Sequence, residues 1–167
     1  MAFKGGDYVQ KTVVGAFHDH HSAEAVVGEL KHRGVPEKDI SLVARHDGHT
    51  EGGHPNGSGM HNLSSGIGWG GTVGGTVGLL AGVGALAIPG IGPIVAAGPL
   101  AATLTGAVAG GVAGGLMDYG IPKDQSEQYE RRLKEGDVLL MVRADAPEVD
   151  KAKTLFEHHG ASDIHVH

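Results

Sequence analysis

A long stretch without charge, from Gly66 to Met117, constrains this chain most, because it contains no Lys, Arg, Asp or Glu. Small residues recur there at every fourth position, and residues four apart share one face of a helix. The two runs, separated by a Pro- and Gly-rich break at 89–93, comprise Gly66, Gly70, Gly74, Gly78 and Gly82, and then Gly98, Ala102, Gly106, Gly110 and Gly114. We therefore predict a glycine-zipper α-helical hairpin over residues 66–120 that turns at the break.

Two roles are open for such a hairpin. Glycine is less favourable than alanine in a helix by about 1 kcal/mol per residue, so these helices need close packing or a bilayer around them. In the first role, the small-residue faces of several copies pack together and form the interface of a homo-oligomer. In the second, the hairpin enters a membrane, because each arm has roughly the 20 residues needed to cross a bilayer core of about 30 Å.

Composition excludes several classes of protein. The chain has 167 residues, a formal net charge of −6 and no cysteine. The negative charge argues against a nucleic-acid partner. The lack of cysteine excludes disulfide frameworks, thiolate metal sites and cysteine nucleophiles. The first residues carry no apolar signal segment, so we expect a cytoplasmic protein, with membrane association through the hairpin as the alternative.

The two ends of the chain show the alternating pattern of an α+β protein. Short runs rich in Val, Ile and Leu predict strands, and amphipathic runs between Pro or Ser and Gly predict helices. The predicted strands are 11–17, 40–44, 137–143 and 164–166, and the predicted helices are 23–33, with Ser22 as N-cap, 123–135, closed by Gly136, and 146–159. Both ends therefore follow the order strand, helix, strand.

The two ends also form an internal repeat. Leu30, His32 and Gly34 in the first half match Phe156, His158 and Gly160 in the second. Two such βαβ units predict a ferredoxin-like fold, with an antiparallel four-stranded sheet in the order 4-1-3-2 and two helices on one face. The predicted organisation is 1–45 for the first half, 46–65 for a His- and Gly-rich loop, 66–120 for the glycine-zipper hairpin, and 121–167 for a helix plus the second half.

These segments carry a resemblance to a known family. The runs 13–17, 39–43, 120–122 and 138–142, together with Tyr129, Leu133, Gly136 and the closing 159–161, resemble the bacterial general-stress, or low-temperature-induced, proteins with a glycine-rich hydrophobic centre. The resemblance implies a stress-related bacterial protein and no catalytic residues. The His-rich loop is outside it.

Histidine is abundant, with 12 copies, and the sheet edge at which strands one and two end collects several of them. Imidazole and carboxylate groups suit Zn, Ni or Cu. No pair has the spacing of a defined metal site, so the alternatives are solvated surface histidines, weak metal binding and a response to pH. The weak metal candidates are His18, His20, His21, His46 and His49.

No arrangement of residues predicts catalysis. Ser64 and Ser65 have no recognisable base, and the glycines around Trp69 neither follow a strand nor precede the Lys-Ser/Thr of a phosphate loop. We therefore expect no enzyme activity and no cofactor. The sequence predicts a stress-response protein that assembles with copies of itself through the glycine-zipper hairpin.

Overall fold

The computed structural model describes residues 10–45, 84–88, 91–106 and 111–167, and it has an α+β fold. Its elements alternate between strands and helices. In chain order they are β1 (Lys11–Phe17), α1 (His20–His32), β2 (Ile40–Arg45), β3 (Gly84–Ile88), β4 (Gly92–Ala97), α2 (Pro99–Gly106), α3 (Gly111–Asp118), α4 (Lys123–Glu135), β5 (Val138–Ala144), α5 (Ala146–His158) and β6 (Ser162–Val166).

The strands form one antiparallel sheet in the order β3-β4-β2-β5-β1-β6. The two ends of the chain meet at its centre, where β1 pairs with β5 along its whole length, from Lys11 opposite Ala144 to Phe17 opposite Val138. The prediction that these two strands are neighbours is confirmed. The predicted strand number was four, whereas the described residues form six, because β3 and β4 extend the sheet beyond β2.

Helices cover both faces of the sheet. On one face α1 and α5 bury Val26, Leu30 and Phe156 against Val13 and other residues of the strands. On the other face α2, α3 and α4 form a second core with the intervening side chains of the same strands. The predicted position of two helices, 23–33 and 146–159, on one face of the sheet is confirmed by α1 and α5, and that prediction did not cover the helices on the second face. β1 and β5 are apolar at successive positions, and such strands bury both of their faces.

The predicted helical hairpin is wrong next to the Pro- and Gly-rich break, because the chain there is extended rather than helical. Residues on either side of the Pro- and Gly-rich break form the antiparallel strands β3 and β4, with Gly84 opposite Ala96 and Ile88 opposite Gly92. The turn lies where it was predicted, but its arms next to it are extended. Pairing of β4 with β2 provides hydrogen-bond partners for the backbone of this segment. A helix would also provide them, but it would have to include several glycines, which are unfavourable in helices.

The second arm continues as two short helices, α2 and α3, rather than one long helix. Leu100, Leu104, Val112 and Leu116 are buried in them against the sheet. In the part of the chain that the structure describes, no helix has the length and apolar character needed to cross a bilayer. The first arm as far as residue 83 and the His-rich loop are outside the described residues.

Helix boundaries follow their capping residues. Asp19, not Ser22, caps α1: its carboxylate accepts hydrogen bonds from the Ser22 backbone N–H at 2.7 Å and from the Ser22 hydroxyl at 2.8 Å. These hydrogen bonds lower the pKa of Asp19. The helix therefore begins three residues earlier than predicted. The prediction for α4 is confirmed, and Gly136 ends it in the left-handed conformation.

Candidate functional site

A polar network joins α4 to the edge strand β6. Opposite β6, the register of β1 shifts between Val14 and Ala16, and Asp163 adopts a positive φ of 52°, which is unusual for a residue other than glycine. The backbone carbonyl of Asp163 accepts a hydrogen bond from the hydroxyl of Tyr129, whose side chain is fully buried. Burial, and then the nearby Asp163 carboxylate, raise the pKa of Tyr129, so it stays a neutral donor.

Side chains of α4 hydrogen-bond to the carboxylate of Asp163 in this conformation. Its carboxylate accepts from Arg132 Nε at 2.7 Å and from Gln128 Nε2 at 2.8 Å. The hydrogen bond to Asp163 raises the pKa of Arg132. Arg132 also lies 3.6 Å from the buried carboxylate of Asp137, so one guanidinium is shared by two acidic residues. Strained residues that a network holds in place are typical of functional sites, although structural networks do the same.

His18 extends this network to the surface. Its Nδ1 lies 2.9 Å from Asp137 Oδ1, and the His18 side chain is 67% exposed while that of Asp137 is 7% exposed. A carboxylate accepts, so Nδ1 of His18 carries the proton, and Nε2 faces away with a free lone pair when the ring is neutral. This arrangement orients a single imidazole, that of His18, at the side of the sheet where β1 and β2 end.

The other metal candidates do not complete a site around His18. His20 and His21 are the first residues of α1, and His46 and His49 are outside the described residues. Among the residues that the structure places, no group of three or more His, Cys, Asp or Glu side chains is arranged to hold a metal ion. Sequence reasoning missed Tyr129, Asp163, His165 and His167. The His-x-His spacing at the end of the predicted strand 164–166 was the signal available, because an extended chain places both rings on one face.

The predicted assembly residues fall into separate environments. Gly66, Gly70, Gly74, Gly78, Gly82 and Gly110 lie outside the described residues, and Ala102 and Gly106 lie in α2. Gly98 is packed inside the fold, since a Cβ there would lie 2.1 Å from the carbonyl oxygen of Ile40. Gly114 is open, with no atom within 4 Å of such a Cβ. Its neighbour Gly115 makes the close contact between α2 and α3, against Leu104.

An apolar strand lies at one edge of the sheet. β3 has the sequence Gly-Ala-Leu-Ala-Ile, and among the described strands it pairs only with β4. Strands at a sheet edge usually carry a charge, a proline or a bulge that prevents pairing with another chain. β3 has none of these. The opposite edge strand, β6, carries Asp163, His165 and the register shift.

No family model matches this chain, and comparison with curated proteins and with solved structures gives no match. The fold and the environments of single residues therefore carry the functional argument.

Replacing Tyr129 with phenylalanine should test the network. The variant keeps the buried ring but removes the hydroxyl that donates to the Asp163 carbonyl, which then keeps only its contact with His165 Nδ1 at 2.9 Å. We expect a loss of about 1–3 kcal/mol in the free energy of unfolding. Urea denaturation followed by circular dichroism measures it. Tyr119→Phe is the control, because it keeps the ring that faces Arg143 at 5.4 Å, and it should change stability by less than about 0.5 kcal/mol. Equal effects of the two changes would contradict the role given to the Tyr129 hydroxyl.

Proposed function

We propose that this chain is a non-enzymatic bacterial stress-response protein of the cytoplasm whose working form is an assembly of its own copies. The resemblance to general-stress proteins supports the stress-related part of the proposal. The adjacent, antiparallel order β2-β5-β1-β6, with α1 and α5 on one face, supports a ferredoxin-like core as part of this proposal. The negative net charge argues against nucleic acid as the partner.

The apolar edge strand β3 carries the proposal. An edge strand presents a row of backbone N–H and C=O groups that can pair with another strand. β3 combines that backbone with five residues that lack charge and proline. A twofold axis beside the edge would pair β3 of one copy antiparallel with β3 of another, which continues the sheet from copy to copy.

The small-residue segment adds to the same interface. Residues 66–83 precede β3 directly in the sequence, carry no charge and contain the first run of glycines at every fourth position. Small residues let two backbones approach closely and gain dispersion contacts along their length. Of the second run, Gly114 keeps an open surface for such an approach, whereas Gly98 is used within the fold.

Light scattering during gel filtration in buffer without detergent tests the assembly. The wild type should elute at a multiple of the 17.0 kDa chain mass. Ala87→Lys places a charge on β3 and should convert most of the protein to monomer with its circular dichroism spectrum unchanged. Val166→Lys is the matched control: it adds the same charge to the other edge strand, at a residue that is 37% exposed, and should leave the mass unchanged.

A second variant separates the two parts of the interface. Gly74→Leu inserts a bulky side chain into the first glycine run and should also lower the mass if that run packs between copies. Loss of assembly in Ala87→Lys alone would assign the interface to the edge strand. A monomeric wild type would overturn the proposal, and a wild type that stays in solution only with detergent would favour membrane association instead.

A further inference from the structure

Two histidines lie on the same side of the sheet at its β6 edge: His165 within β6, and His167 one residue beyond the end of that strand at Val166. His165 lies opposite Val14 of β1, and His167 exchanges both backbone hydrogen bonds with Thr12, at 2.7 and 2.9 Å. Residues two apart in a strand share a face, so both side chains lie on the side of the sheet covered by α4. Their ring centroids are 6.2 Å apart, and the planes differ by 28°.

Hydrogen bonding fixes which nitrogen of His165 carries the proton. The Tyr129 oxygen lies 2.8 Å from Nδ1 of His165, but its single proton is donated to the Asp163 carbonyl. Nδ1 must therefore be the donor in the contact with Tyr129, and the Asp163 carbonyl, 2.9 Å from the same nitrogen, can only accept as well. The neutral ring consequently has a free lone pair on Nε2, the arrangement found in metal-binding histidines whose other nitrogen is held by a neighbour.

His167 supplies a second nitrogen without a partner. Its Nε2 is buried and makes no hydrogen bond. A buried polar atom in this state is costly and calls for a ligand.

We propose that Nε2 of His165 and Nε2 of His167 bind one divalent transition-metal ion of the Zn, Ni or Cu class, with water in the remaining positions. Imidazole suits these ions, and a strand places alternate rings side by side. The surrounding charges set the strength of the site. Asp163 and Arg132 pair with each other, while Arg143, opposite Thr12 on the same face, adds a positive charge and keeps the affinity below that of a four-ligand site. The proposal is independent of assembly.

Zinc titration of the full chain, followed by NMR of the histidine side chains, tests the site directly. The probe is the Zn²⁺ ion alone, and the 12 histidines give residue-specific signals. The signals of His165 and His167 should shift together with the first equivalent, before that of the exposed His32. His165→Asn and His167→Asn should each weaken this first binding event at least tenfold, whereas the control His32→Asn should leave it unchanged.

Tyr129→Phe provides a second test, because it removes one of the two oxygens that contact His165 Nδ1 and leaves only the Asp163 carbonyl. We expect zinc affinity to fall by roughly tenfold, the typical effect of removing an orienting partner. The fold of each variant is checked by its unfolding transition. If the first equivalent of zinc moves other histidines and leaves His165 and His167 unchanged, the site does not exist. The same holds if neither asparagine variant lowers the affinity.

Discussion

Replacing Gly98 with alanine should strongly destabilise the fold of this chain. Gly98 has a φ of +82°, which side chains rarely adopt, and an added Cβ would lie 2.1 Å from the Ile40 carbonyl oxygen and 3.0 Å from Ser41 Cα. Both obstacles are backbone atoms, so no side-chain rotation relieves them. We expect a loss of about 3–5 kcal/mol, which is a large part of the stability of an ordinary domain.

The matched control is another member of the same small-residue run. Gly114 lies within α3 with no atom within 4 Å of an added Cβ. Gly114→Ala should therefore leave the fold intact and gain up to about 1 kcal/mol, because alanine is the better helix former. Thermal unfolding of the two variants measures both effects. A tolerated Gly98→Ala would contradict the packing of β4 and α2 against β2.

This contrast shows what the four-residue spacing does in the described part of the chain. Gly98 serves the turn from β4 into α2, where Leu100 N–H then donates to the Ser41 hydroxyl at 3.2 Å. The close approach between α2 and α3 falls on Gly115, one position outside the run. The spacing thus identified a region of close packing, but these contacts are within one chain. Of the two members of the second run whose surroundings the structure describes, Gly98 and Gly114, it is Gly114 that has space for a neighbour.

Much of the fold at the two ends could be predicted from local signals. β1 and β5 are short runs of strand-forming residues, and α4 begins after Pro122 and ends at Gly136, both as expected. Asp19 was overlooked as a cap because Ser22 also suits that position. These errors are small, since a cap three residues away shifts a boundary without changing the element.

The central segment was harder because its composition fits two periodicities. When nearly every residue is small or apolar, spacings of two and four are both satisfied, and periodicity does not separate helix from strand. The decision between them depends on β2, whose outer edge is available for β4 to pair with. That is tertiary context, which a local pattern does not contain. The candidate site depends on it too, since Tyr129 and His165 are 36 positions apart in sequence.

Coupling between Gly15 and Phe156 tests how α5 lies on the sheet. A Cβ at Gly15 would lie 2.7 Å from Phe156 Cδ2, and the Phe156 ring packs edge-on against Phe17 at 5.5 Å between centroids. Phe156→Ala should cost about 3–5 kcal/mol through the cavity that it leaves. Gly15→Ala should cost about 1–3 kcal/mol, because the methyl group forces the ring to move.

In the double variant these two costs should not add. The methyl group at position 15 then enters space that the ring has vacated, so the double variant should be more stable than the sum predicts by about 1–2 kcal/mol. Gly28→Ala, in α1 with no atom within 4 Å, should combine additively with Phe156→Ala. Urea denaturation of the three single variants and of the two double variants that contain Phe156→Ala measures both coupling free energies. Additive losses for Gly15 and Phe156 would mean that α5 does not rest on β1 through this glycine, and the face shared by α1 and α5 would need a different packing.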